Sequence, residues 1–150
     1  MKRFVRVALA WTVVSAVIQV VGRYVSRRYA LGDEGADEFR MAAIATGAIF
    51  RSRAKELRSG SCRVVMGGAK IDLREAQLDP SGADLHLDAT MGGIRVGVPS
   101  TWRVEVDTSG VVLGGVDQHL ASAGDPDEDA PCLRIRASAR MGGIVVGPRP

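Results

Sequence analysis

Catalytic and redox residues are scarce in this chain of 150 residues. It holds two histidines, His86 and His119, and two cysteines, Cys62 and Cys132. Two cysteines cannot build a disulfide framework, and no C-x2-C spacing marks a zinc site. Neither G-x-S-x-G nor H-E-x-x-H nor a P-loop occurs, and no G-x-G-x-x-G is present for a dinucleotide. Aromatic residues are 5 % of the chain, so a core must be built from Val, Ile, Leu, Ala and Met. No cofactor, no metal and no enzymatic activity are expected.

His86 falls on the polar phase between Leu85 and Leu87, and His119 sits in a turn-like stretch; both read as solvated surface. Asp125, Asp127, Glu128 and Asp129 invite a calcium reading. An EF-hand loop counted from Asp125 would need glycine where Ala130 stands and glutamate where Arg136 stands, so a solvated acidic loop is expected. Asp72, Glu75 and Asp79 read as ordinary carboxylates on a turn. Cys62 and Cys132 occupy non-equivalent places relative to the glycine pairs described below, and read as free thiols.

Charge is unevenly distributed. Residues 1–63 hold 12 Lys/Arg against 5 Asp/Glu, a balance of +7, and residues 64–150 hold 8 against 12, a balance of −4. The basic front surrounds an uncharged run from Val7 to Gly22, between Arg6 and Arg23. Sixteen helical residues rise about 24 Å, and outward-reaching Arg6 and Arg23 help such a helix span a bilayer. A single-pass anchor is the leading reading, with Val7, Leu9, Trp11, Val13, Val17, Ile18 and Val21 facing lipid. A cleaved signal peptide lacks a good small-x-small site after the run. The third reading is a helix lying in the interface or packed on protein, and an interfacial helix should show a polar face that this run lacks. Lys2, Arg3 and Arg6 precede the run, and Arg23, Arg27, Arg28 and Arg40 follow it. Four against three places the rest of the chain on the cytoplasmic side of the cell membrane by a narrow margin. The expected organisation is an anchor over 1–29, a polar hinge over 30–38 and a folded domain over 39–150. Arg51, Arg53, Lys55 and Arg58 form a basic stretch, read either as lipid-facing or as a solvated edge that blunts strand pairing. Without stacking aromatics beside these charges, nucleic acid is not an expected partner.

The most informative pattern is a repeat. Arg63-Val-Val-Met-Gly-Gly-Ala-Lys-Ile-Asp-Leu73 returns as Asp88-Ala-Thr-Met-Gly-Gly-Ile-Arg-Val-Gly-Val98. It returns more loosely as Gly110-Val-Val-Leu-Gly-Gly-Val-Asp117, and again as Ser138-Ala-Arg-Met-Gly-Gly-Ile-Val-Val146. The doublets are Gly67–Gly68, Gly92–Gly93, Gly114–Gly115 and Gly142–Gly143, at spacings of 25, 22 and 28 residues. Ala45-Thr-Gly-Ala-Ile-Phe50 is a degenerate fifth copy. Between doublets, apolar and polar residues alternate, as in Leu85, Leu87, Ala89 and Met91 against His86, Asp88 and Thr90. This is the signature of half-buried strands. Met91 and Ile94 both read as inward, an odd step that a straight strand forbids. One extra residue at each glycine pair, in a bulge or corner, would repair the parity. Corners at regular intervals predict an all-β, right-handed β-solenoid in which each turn stacks on the last. An antiparallel sandwich with glycine bulges is the alternative.

The repeated Met-Gly-Gly-apolar element, Met66-Gly-Gly-Ala-Lys-Ile-Asp-Leu-Arg-Glu-Ala76 and Val98-Pro-Ser-Thr-Trp-Arg-Val-Glu-Val106 resemble the C-terminal domain of the LiaF-like, cell wall-active antibiotics response family. The resemblance covers roughly residues 39–147. It implies a β-helical "toast-rack" domain beside membrane segments, and a regulatory role in bacterial envelope stress that acts on a sensor kinase. The chain departs from the family in having at most one span and Met or Leu where Phe is common. The function expected is a membrane-tethered, non-enzymatic protein-interaction module. The alternative is a scaffold that self-assembles into homo-oligomers, as bactofilins do with a similar β-helical core.

Overall fold

A computed structural model describes residues 11–22, 24, 32–118 and 130–149. A helix, α1, covers 11–22. Eight strands follow: β1 (Glu38–Arg51), β2 (Ser59–Asp72), β3 (Ala83–Ala89), β4 (Gly92–Gly97), β5 (Arg103–Val111), β6 (Gly114–Gln118), β7 (Cys132–Ala139) and β8 (Gly142–Gly147). Every pairing between them is parallel, so the antiparallel sandwich is ruled out.

The chain forms five rungs, each bent once into two limbs. β1 and β2 run through their own bends, while β3–β4, β5–β6 and β7–β8 are limb pairs broken at the bend. First limbs pair with first limbs and second limbs with second limbs, giving a parallel, solenoid-like sheet folded along one line. Hydrogen bonding continues through the fold line. Thr90 N–H donates to the Val64 carbonyl, Arg140 N–H to Ala89 and Val112 N–H to Ala139, at 2.8–2.9 Å. A third side is made of connections, where Leu57 N–H donates to the Gln77 carbonyl and Gln77 N–H to the Ala54 carbonyl. Ala54, Leu57, Leu73 and Ala76 close the interior there.

The stacking order corrects the sequence expectation. Turns do not simply follow one another: the 132–147 rung pairs on one side with β3 and β4 and on the other with β5 and β6. The five-residue connection 98–102 steps over the vacant level, since extended backbone covers about 3.3 Å per residue and a rung is about 4.8 Å. The last repeat then fills that level. Its apolar inward set suits a rung covered on both sides: Leu133, Ile135, Ala139, Ile144 and Val146 are all buried. The looser 103–118 copy is left at the end, where Val104, Val106 and Val116 are only partly buried. Its register shifts between Asp107 and Gly110, a bulge suited to an edge strand.

The opposite end is closed differently. Phe39 and Phe50, one from each limb of β1, stack with ring centroids 4.5 Å apart. Gly60 lies in register with Phe39, and a Cβ there would collide with the Phe39 ring, so this glycine makes room for the plug.

Among the described residues, no helix is long and apolar enough to cross a membrane. α1 exposes Trp11, Val13, Val17, Ile18 and Val21; Val7 and Leu9 lie outside the described residues. Its end touches the first rung: Gly22 is buried, and a Cβ there would collide with the Ile44 carbonyl. Residues 32–37, expected as a hinge, lie against the 52–58 connection, with Arg53 N–H donating to the Glu34 carbonyl and Arg58 N–H to the Asp37 carbonyl.

Candidate functional site

The repeated doublets align. Thr46, Gly67, Gly92, Gly142 and Gly114 are in register, and the second positions Gly47, Gly68, Gly93, Gly143 and Gly115 form the next row. The degenerate copy at Ala45 is thus a true fifth rung. The two glycines of a doublet do different work. A Cβ on Gly67 would collide with the Thr46 carbonyl, on Gly92 with Gly67, on Gly142 with Gly92 and on Gly114 with Gly142. First glycines therefore let neighbouring rungs approach at the bend. At the second position a Cβ would meet only ordinary contacts, 3.7 Å at Gly68 and 3.6 Å at Gly93, or open space at Gly47 and Gly115.

The parity change is real, but it sits one step earlier than the sequence suggested. Ala89 and Ile94 are buried, while Met91 is exposed. Alternation reads Met91 as inward; in the structure Met91 and Met141 are both exposed. The bend begins at the residue before the doublet: Ala45, Met66 and Met141 have φ of 55°, 57° and 56°. That left-handed turn rotates their side chains out of the core and resets the phase for the second limb. Met66 and Met141, with Met91 and Leu113 at the same place in their rungs, form an exposed ridge along the fold line, 46–68 % accessible.

The outer face of the first limb is polar. Arg40, Ser61, His86, Arg136 and Asp107 make one cross-strand row. Beside it Arg63 meets Asp88 at 3.3 Å, and Arg134 meets Asp84 at 3.1 Å. Arg134 holds the Asp84 carboxyl below its ordinary range, opposing the smaller effect of desolvation. The face is a lattice of exposed ion pairs around His86, and it has only shallow depressions. Among the described residues no group of three or more His, Cys, Asp or Glu could hold a metal ion.

The carboxylates after the second bend are all tied to arginines. Asp72 accepts from Arg74 Nε at 2.8 Å and Nη2 at 2.7 Å, which lowers its pKa to about 2. Glu75 accepts from Arg53 at 2.8 Å and Asp79 from Arg58 at 2.9 Å. Of the basic stretch, Arg53 and Arg58 are thus engaged, while Arg51 and Lys55 form no ion pair among the described residues. Cys62 is buried and its thiol is pushed up to about 12 by desolvation. Cys132 is partly buried, and both thiols are free. His119 and the acidic stretch Asp125–Asp129 lie outside the described residues.

Sequence reasoning found the line of corners but missed the exposed ridge. The available signal was the odd step itself, which puts one member of each Met–apolar pair outside. Comparison with protein-family profiles, curated proteins and solved structures finds no match for this chain.

Proposed function

We propose that the chain is a membrane-tethered, non-enzymatic regulatory or protein-interaction module of the bacterial cell envelope, built as a right-handed β-solenoid of the LiaF-like kind and held by a single N-terminal span. The observation that carries this reading is α1: a helix whose Trp11, Val13, Val17 and Val20 are exposed, ending directly on the first rung of a folded sheet. Residues 11–21 of α1 are exposed on every side, and lipid would cover them. The four-to-three excess of cations after the apolar run supports a cytoplasmic solenoid. The motif resemblance supports a signalling role, with a sensor kinase as the partner class.

Fractionation of membranes tests the tether. The full chain should stay in the pellet through high-salt and carbonate washes; its release into either wash removes the anchor. Pull-down of the intact protein from solubilised membranes tests the signalling role, which requires recovery of a histidine kinase.

A self-assembling scaffold is favoured by a different observation. Among the described residues β1 pairs with β2 alone, and β5 and β6 with the 132–147 rung alone, which leaves a strand at each end of the stack with one strand partner. Concentration-dependent fibres in electron micrographs would support that reading, and a sharp monomer in light scattering at high concentration would remove it.

A further inference from the structure

The ridge along the fold line remains to be explained. Neither the core nor the bend requires methionine there, since Ala45 occupies the same place in the first rung with the same φ. Yet Met66, Met91, Met141 and Leu113 stand in water side by side, joined by Val112 at 71 % exposure. Four rungs at about 4.8 Å make the ridge roughly 14 Å long. A contiguous exposed apolar strip of this kind marks a contact surface.

Three features of the surroundings indicate what it touches. Cations flank the ridge on both sides. Arg140 immediately precedes Met141, and Lys70 and Arg95 are in register with each other on the second limb. None of the three forms an ion pair among the described residues; the Lys70–Arg95 row runs on through Val145 to Asp117 in the end rung, and Asp72 and Asp88 are paired with Arg74 and Arg63. The second glycines lie between ridge and cations, so nothing on that row hides the methionines. Finally, α1 ends on this same line, with Gly22 against the Ile44 carbonyl and 3.9 Å between an added Cβ and that of Ala45. The apolar helix and the apolar ridge share one edge of the molecule.

We propose that the glycine corner is a membrane-docking edge. Met66, Met91, Met141 and Leu113 enter the interfacial zone of an anionic bilayer, while Lys70, Arg95 and Arg140 meet headgroup phosphates. The methionines are flexible side chains that adapt to a fluid surface. The inference deepens the tethered reading: it states which edge of the solenoid lies down on the lipid that α1 enters.

The test uses the full chain with Cys132→Ser. Cys62 is 2 % exposed, so a thiol-reactive fluorophore leaves it unlabelled. One sample carries the fluorophore at Met91→Cys, on the ridge, and another at His86→Cys, on the outer face of the first limb. Each is bound to phosphatidylcholine vesicles with or without about one-third phosphatidylglycerol, and nitroxide lipids serve as quenchers. Quenching at position 91 should exceed that at 86 by about threefold in anionic vesicles. The excess should vanish in Lys70→Glu/Arg95→Glu/Arg140→Glu, with the chain still resisting carbonate. Equal quenching at 91 and 86 on a carbonate-resistant chain overturns the docking edge and leaves the anchor standing. A chain that no vesicle retains overturns both. Ridge quenching on a chain that salt washes off keeps the docking edge and removes the anchor. A fluorophore at 91 that becomes buried without lipid, in proportion to protein concentration, overturns the proposal in favour of self-association.

Discussion

The 132–147 rung and the 103–118 rung are copies of one unit, yet they differ in almost every physical respect. The first lies between two neighbours, with Ile135, Ile144 and Val146 at 0–1 % exposure. The second has one neighbour, a bulge between Asp107 and Gly110, and an inward set of valines that stay half-buried. A rung gains from the apolar area covered on both of its sides, so the more apolar copy belongs inside and the irregular copy at the edge. Chain order did not decide the stacking; the ability to be covered did.

This contrast breaks most sharply at the first glycines. Gly92 and Gly114 are equivalent in the unit, and a Cβ on either collides with a carbonyl of the adjacent rung. Gly92 is also at φ 146° and is held between two rungs. Gly114 is exposed and, among the described residues, is paired on one side alone, with Gly142, so its strand has more room to shift. Gly92→Ala should cost about 4 kcal/mol or more and yield little soluble protein, and Gly114→Ala about 1–2 kcal/mol. Urea midpoints decide it, and equal losses would mean that the end rung is as rigid as the interior. Core truncation gives a smaller version of the same comparison. Ile94→Ala removes a fully buried side chain and should cost about 3–4 kcal/mol, against about 1 kcal/mol for Val116→Ala in the end rung.

The bends, the strands and the parallel all-β class were legible in the sequence because they follow from local rules. Period-two alternation needs only neighbouring residues, and the odd step from Met91 to Ile94 demands a bend wherever it occurs. The insertion of the last repeat was not legible. Residues 138–146 match 88–98 more closely than 110–117 do, but similarity between copies does not reveal which levels of a stack are filled. The side of Met91 was misassigned for a related reason. Alternation fixes the phase within a limb, and only the place of the bend, between the buried Ala89 and Ile94, shows that Met91 stands outside the inward set. The tie between α1 and the ridge joins residues 22 and 45, a distant contact that no local pattern encodes.

The third side contrasts with the sheet faces through carboxylates that are well covered, Asp72 beside Arg74 and Asp79 beside Arg58. Asp72 is 10 % exposed at its side chain, whereas Arg134 and Asp84 on the first-limb face are 54 % and 44 % exposed. The Asp72 pKa is lowered in the folded chain to about 2 from 3.8. A depressed carboxylate stabilises fully above its unfolded pKa and loses that contribution as pH falls through the folded value. Asp72→Asn should therefore cost about 1–2 kcal/mol at neutral pH and nothing below about pH 2. Stability curves of the two proteins should converge between about pH 4 and 2; curves that stay parallel would show that Arg74 does not favour the charged form.

The smallest expected effect separates the two glycines of a single doublet. Gly93 lies one residue from Gly92, yet a Cβ on it would stand 3.6 Å from the Gly143 carbonyl, an ordinary contact. Alanine in a strand restricts the unfolded chain more than glycine does, so Gly93→Ala should change stability by no more than about 0.5 kcal/mol in either direction. The second glycine is nevertheless present in all five rungs, from Gly47 to Gly115. If Gly93→Ala is neutral in urea, the repetition of that glycine answers to what lies outside the sheet, and the methyl group should register instead in ridge quenching on anionic vesicles. If it costs about 1.5 kcal/mol or more, the row is part of how rungs pack, and the surface next to the methionines is a by-product of the bend.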